Sequence, residues 1–138
     1  MIRQLTSKDK INFIDYCLSK NYSKDIKKLN KLYNDILKRN TKCLVFENNE
    51  FNGLIIIEKK NKKSYVTILT NSNKIAFHLI KHYIWNNEDS LYIKFSKWNY
   101  LIKLLNKLGF RIISKKGNKT IDLYRQFDKK FYFPKNKG

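Results

Sequence analysis

The sequence predicts one α/β (α+β) domain: a mixed, mostly antiparallel central sheet flanked by helices. Three observations predict it. The 138-residue length suits a single core. The hydrophobic periods follow the order β-α-α-β-β-β-α-β-α-β-β, a three-stranded meander followed by alternating helices and strands. Near the C-terminus an apolar helix runs into Gly109-Phe110 and then a strand, a position where a left-handed glycine ends a helix. We expect the domain to cover residues 1–127 and a basic tail with three aromatics to follow over 128–138 (DKKFYFPKNKG).

Each element has a local reason. Met1 to Leu5 reads as a short strand. Ser7 is a plausible N-cap for a helix whose face is Ile11, Ile14, Cys17 and Leu18. Ser23 can cap a second helix, with Ile26, Leu29, Tyr33, Ile36 and Leu37 as its stripe and lysines opposite. Lys42 to Glu47 is a strand with Leu44 and Phe46 alternating. Asn48-Asn49-Glu50 turns into Phe51 to Glu58, whose run Leu54-Ile55-Ile56-Ile57 suits a strand buried on both faces. Asn61-Lys62-Lys63 turns into Ser64 to Leu69, completing the meander. Asn73 can cap a helix over Lys74 to Trp85, with Ala76, Leu79, Ile80, Tyr83 and Ile84 facing the sheet. Leu91 to Phe95 is a strand. Tyr100 to Leu108 is a helix with Leu101, Leu104, Leu105 and Leu108 apolar. Arg111 to Ser114 and Thr120 to Arg125 form a hairpin around Gly117-Asn118.

Charge is the most unusual bulk property: 30 Lys+Arg against 11 Asp+Glu, a net +19. Such a field draws polyanions, and nucleic acid or an acidic protein surface is the expected partner. Lysines outnumber arginines 26 to 4. Lys is a point charge, whereas Arg reads base edges, so sequence-independent phosphate attraction is favoured. Tyr92, Phe95, Trp98 and Tyr100 interleave with Lys94, Lys97 and Lys103, the mixture that single-strand-binding surfaces use. Lys94, Lys97 and Trp98 are therefore candidate partner contacts. In the tail, Lys129, Lys130, Phe131, Tyr132 and Phe133 are further candidates.

Other constellations carry less. Cys17 and Cys43 read as buried free thiols, with no Cys or His at metal spacing. His78 and His82 are four apart on one helix, but no acidic or Cys ligand accompanies them, so no metal site is expected. No apolar run approaches the roughly 20 residues of a membrane span, and the N-terminus has no signal-peptide core. We expect no membrane association and a cytoplasmic protein.

The element order, and the segment Leu104-Leu105-Asn106-Lys107-Leu108-Gly109-Phe110-Arg111, resemble the Gcn5-related N-acetyltransferase (GNAT) superfamily over roughly residues 1–127. The resemblance implies a coenzyme A pyrophosphate loop, Arg/Gln-x-x-Gly-x-Gly/Ala, before the helix that follows the fourth strand. Here that stretch reads Leu69-Thr70-Asn71-Ser72-Asn73-Lys74-Ile75-Ala76, shortened and without glycine. Asn71, Ser72, Asn73 and Lys74 are the candidate coenzyme-binding residues, with Asn73 as a helix cap the plainer role. The family often places an acid tyrosine four residues before the Gly of Gly-Phe; here that residue is Leu105. Trp98 stands where the family often has Asn, with Asn99 one residue off. Glu58, or Glu47, is the candidate general base, although the neighbouring Lys59, Lys60, Lys62 and Lys63 favour an ion-paired surface carboxylate.

These losses point first to a catalytically degenerate family member used as a binding or assembly module, with no cofactor. Its small size and Lys/Asn-rich style resemble bacteriophage or mobile-element products, and some short-tailed phages carry acetyltransferase-like proteins among their morphogenesis or internal virion components. On that reading the protein works in a larger assembly, in the host cytoplasm or the virion. The alternative is an active N-acetyltransferase using acetyl-CoA. A third reading is a small basic nucleic-acid-binding domain.

Overall fold

The computed structural model describes residues 1–116 and 120–126. The turn at Gly117-Asn118 and the tail expected over 128–138 lie outside the described residues. The elements run β1 (Ile2–Gln4), α1 (Lys10–Ser19), α2 (Ile26–Leu37), β2 (Lys42–Asn48), β3 (Glu50–Lys60), β4 (Lys63–Thr70), α3 (Asn73–Asn86), β5 (Leu91–Phe95), α4 (Tyr100–Asn106), β6 (Arg111–Lys116) and β7 (Thr120–Arg125). This is the expected order.

The strands form one seven-stranded sheet, β1-β2-β3-β4-β5-β7-β6. Its pairs are antiparallel except β4–β5. The β3 run alternates between two cores. Leu54 and Ile56 join Phe13, Tyr16, Cys17, Leu29, Tyr33 and Ile36 under α1 and α2. Ile55 and Ile57 join Leu79, Ile80, Tyr83, Leu105 and Phe110 under α3 and α4. Burying such a side chain contributes about 1.5–3 kcal/mol, which is why four consecutive apolar residues are worth placing in a strand covered on both faces.

Turn chemistry matches the polar residues between strands. Asn49 adopts φ 67°, and Asn61 and Lys62 adopt φ 52° and 65°. The last pair gives the tight left-handed turn of the β3–β4 hairpin. At the end of α4, the Phe110 N–H reaches Leu105 O (3.2 Å) and the Gly109 N–H reaches Asn106 O (3.1 Å). These are the paired bonds of a Schellman ending, with Gly109 at φ 98°. Phe110 is then fully buried as the chain enters β6.

Three helix starts differ from expectation. Asp9, not Ser7, precedes α1. Its carboxylate turns back instead, pairing with both Arg3 terminal nitrogens at 2.8 and 2.9 Å and accepting from the Thr6 N–H at 2.7 Å. The α1 face is consequently Phe13, Tyr16 and Cys17, while Ile11 is exposed. Asp25, not Ser23, caps α2 by accepting from the Lys27 N–H, because the Ser23 hydroxyl accepts from the Asp25 N–H. Ser72, not Asn73, caps α3. The buried face of α3 is the predicted one.

Candidate functional site

The site follows from how β4 and β5 part. They pair only through Ser64↔Leu91, Tyr65↔Tyr92 and Val66↔Ile93. β4 then continues through Thr67–Thr70 against β3, while Lys94 and Phe95 continue against β7. Alternate backbone groups along both diverging edges lose a strand partner. A groove of about 740 Å³ opens there.

Side-chain alternation shows that this groove reaches both faces of the sheet. Ile68, Phe95 and Leu101 line it from the α3/α4 side, where they pack on that core. Glu58, Tyr65, Thr67, Tyr92 and Lys94 line it from the opposite side. Asn73 and Asn99, at the starts of α3 and α4, close one end.

Glu58 lies half-buried at the end of β3, paired across the ladder with Tyr65. It also lines a second pocket, shared with Tyr22 and Ser23 of the α1–α2 connection and with Lys28 and Leu32 of α2. The Tyr22 phenol is pushed up by burial first, with the Glu58 carboxylate adding to the effect and Thr67 opposing it. Among the described residues the ion pair expected for Glu58 is not made. The three salt bridges among the described residues are Arg3–Asp9, Arg3–Glu47 and Lys42–Asp89. Lys59 points to the other face, and Lys60 and Lys63, which pair across the hairpin on the Glu58 side, do not come within salt-bridge distance of it. Glu47 is held by Arg3 at 3.0 Å and lies on β2, outside the groove lining.

The connection from β4 to α3 is two residues, Asn71 and Ser72. Both are committed structurally. Asn71 Oδ1 accepts from the Tyr16 hydroxyl at 2.9 Å, and its Nδ2 donates to Asn52 Oδ1 at 3.2 Å. The Ser72 hydroxyl accepts from the Ile75 N–H at 3.2 Å. The first intrahelical bond shown is Ala76 N–H to Ser72 O, so the Asn73 and Lys74 amides point out of the first turn. That turn has no acidic residue and carries the exposed Lys74. Gly53 of β3 supports this corner. A Cβ there would lie 2.7 Å from Ile75 Cγ2 and 2.9 Å from Thr70 Cγ2.

The remaining candidates are dispersed. Lys94 is exposed on β5, opposite Asp122 of β7. Lys97 and Trp98 are exposed between β5 and α4, Trp98 at 55%. Lys129, Lys130, Phe131, Tyr132 and Phe133 lie outside the described residues. Leu105, at the acid position, is fully buried. Cys17 is buried and its thiol pushed up to about 12 by burial. Sequence reasoning missed the row Tyr65–Tyr92–Tyr124, which only cross-strand register brings together.

No protein-family model and no curated protein matches the sequence. Solved structures do match the fold. The aminoglycoside 6'-N-acetyltransferase of Enterococcus faecium superposes with a TM-score of 0.70 at 10% identity, over 93% of this chain and 97% of that one. The N-acetyltransferase PseH of Campylobacter jejuni, in complex with acetyl coenzyme A, gives 0.62 at 16% identity, over 93% and 100%. The PaiA N-acetyltransferase of Thermoplasma acidophilum, in complex with coenzyme A, gives 0.67 at 14% identity, over 92% and 98%. Identities this low speak for architecture, not for substrate. The chain has the fold of the Gcn5-related N-acetyltransferases.

Proposed function

We propose that the protein is an acetyl-CoA-dependent N-acetyltransferase with Glu58 as general base and no tyrosine at the usual acid position. One observation carries this reading: the groove between β4 and β5 passes through the sheet, and Glu58 stands where it meets the pocket beside α1 and α2. Donor and acceptor can thus enter from opposite faces and meet at the carboxylate.

The groove suits the donor. The pantetheine arm of coenzyme A carries two amides, which can extend the unpaired edges of Thr67–Thr70 and Lys94–Phe95 as an added strand does. The α3 N-terminus offers the pyrophosphate the Asn73 and Lys74 amides, the positive end of the helix dipole and the Lys74 ammonium. This is a leaner cradle than a glycine loop provides, and Lys74 supplies charge in place of further amides.

In the transfer step the acceptor amine nitrogen attacks the thioester carbonyl carbon. The N–C bond forms and the C–S bond breaks. Glu58 takes the nitrogen's proton, and the departing thiolate is protonated by water. Holding amine and thioester together supplies much of the acceleration, and a placed base contributes about 10²–10⁴-fold. The test is thiol release from acetyl-CoA with a panel of amines. Glu58→Gln should lower kcat about 100-fold with little change in the KM for acetyl-CoA. Unchanged kcat would remove Glu58 from the role.

A second reading has its own observation. Leu105 is sealed in the core, and Asn71 and Ser72 are occupied by structural hydrogen bonds. These favour a catalytically degenerate member serving as a binding or assembly module. Failure of acetyl-CoA to bind at millimolar concentration would select this reading over the first.

A further inference from the structure

We infer that the face of β4, β5 and β7 carrying the stacked row Tyr65, Tyr92 and Tyr124 is a docking surface for single-stranded nucleic acid. The face adjoins the groove between β4 and β5, which Tyr65, Tyr92 and Lys94 also line, but the inference needs neither acetyl-CoA nor catalysis by Glu58, so the two readings fail separately.

The three tyrosines are direct cross-strand partners, Tyr65↔Tyr92 and Tyr92↔Tyr124. Their ring centroids are 5.5 and 4.5 Å apart, with planes tilted by 34° and 35°. They form a continuous aromatic row across three strands. Tyr65 is 40% exposed, and the other two are partly exposed. The core beneath α1 and α2 draws its sheet residues from β2, β3 and Leu69. The buried residues of β5 and β7 belong to the other core, so among the described residues no helix packs over the row.

Cations frame it. Lys63 Nζ stands 5.3 Å from the Tyr92 ring centroid. Alternation puts Lys60 on the same face as Glu58, and Lys94 on the same face as Tyr92. Glu58 and Asp122 share the face, and Asp122 sits directly opposite Lys94. The rings stack on one another, so a base can extend the stack at Tyr65, its most exposed member, while the ammonium groups beside it attract the phosphate backbone without reading sequence. An acidic protein would meet the lysines but leave the ring faces without a planar partner. The +19 charge of the whole chain adds long-range attraction of the right sign.

The experiment is fluorescence anisotropy with a labelled 12-mer of oligo(dT), an abasic 12-mer of equal charge, and polyglutamate as competitor, over a salt series. Wild type should bind oligo(dT) about tenfold more tightly than the abasic strand. Tyr65→Ala should remove most of that difference and leave abasic binding and the salt slope unchanged. Tyr65→Phe should retain it. Tyr65→Leu, which keeps apolar bulk without a ring, should lose it and serves if the alanine variant is unstable. Lys63→Gln should weaken both strands and reduce the salt slope by about 1. Equal affinity for the two strands, or a Tyr65→Leu variant that binds like wild type, would overturn the inference. Polyglutamate displacing oligo(dT) at equal charge with the same tyrosine dependence would also overturn it and identify an acidic protein partner.

Discussion

Replacing Gly53 with alanine tests how β3 sets the position of the α3 N-terminus. Gly53 pairs with Thr70, the last residue of β4, immediately before the connection to α3. An alanine Cβ would meet Ile75 Cγ2 at 2.7 Å, Thr70 Cγ2 at 2.9 Å and Thr70 Cβ at 3.2 Å. Both neighbours are β-branched and stiff at χ1, so neither methyl swings away cheaply. The backbone of α3 must move instead. Overpacking of this kind costs about 1–3 kcal/mol. Loss of glycine's freedom in the unfolded chain offsets about 0.4–1 kcal/mol of that. The middle of these two ranges leaves a net loss of about 1.3 kcal/mol, which lowers Tm by roughly 3–8 °C in a domain of this size. Thermal melts by circular dichroism measure it. Titration with acetyl-CoA should show weaker binding, because the Asn73 and Lys74 amides move with the helix. An unchanged or raised Tm would refute the argument that Gly53 is required by close approach.

Other outcomes follow from the same packing. Gly109→Ala should cost about 1–2 kcal/mol, because φ 98° is a conformation that a Cβ opposes; chemical denaturation measures it, and Gly109→Asn should lose less. Phe110→Ala should cost about 3–5 kcal/mol as a buried aromatic removed from the core, read in the same way. Hydrogen bonds from Arg3 hold Asp9 down to about 2, below its ordinary 3.8. Asp9 therefore contributes stability that is complete above pH 4 and lost as pH falls towards 2; Asp9→Asn should flatten that part of a stability–pH curve. The buried thiols of Cys17 and Cys43, both raised by burial, should react with a thiol reagent only on unfolding.

The scaffold was largely legible because its signals are local. Four consecutive apolar residues, 54–57, identified a strand covered on both sides. The period of Ala76, Leu79, Ile80, Tyr83 and Ile84 gave the α3 face, and Gly109-Phe110 gave the end of α4. The helix starts were less legible. Ser7, Ser23 and Asn73 are all good capping types, yet Asp9, Asp25 and Ser72 took those places. The reasons differ: Arg3 reaches Asp9 from β1, the Ser23 hydroxyl is taken up locally by the Asp25 N–H, and the Tyr16–Asn71–Asn52 bonds place Ser72 at the helix entrance. The α1 face slipped because Ile11 looks apolar in sequence but faces solvent once Phe13 and Cys17 turn to the sheet.

The site was legible only in part. Leu105 and the missing glycines could be counted directly. The environment of Glu58 could not, because a run of lysines does not say where their long side chains reach: Lys60 and Lys63 share its face yet make no ion pair with it. The tyrosine row depends on the parallel β4–β5 register, which the α3 crossover fixes across a gap of more than twenty residues. No local pattern reports it.

The most direct test of the proposed activity is a ¹⁵N-resolved NMR titration of the protein with acetyl-CoA. Saturable shifts confined to the diverging edges Thr67–Thr70 and Lys94–Phe95 and to the Asn73 and Lys74 amides are expected. An absence of shifts at saturating ligand, or shifts centred elsewhere on the surface, would contradict it.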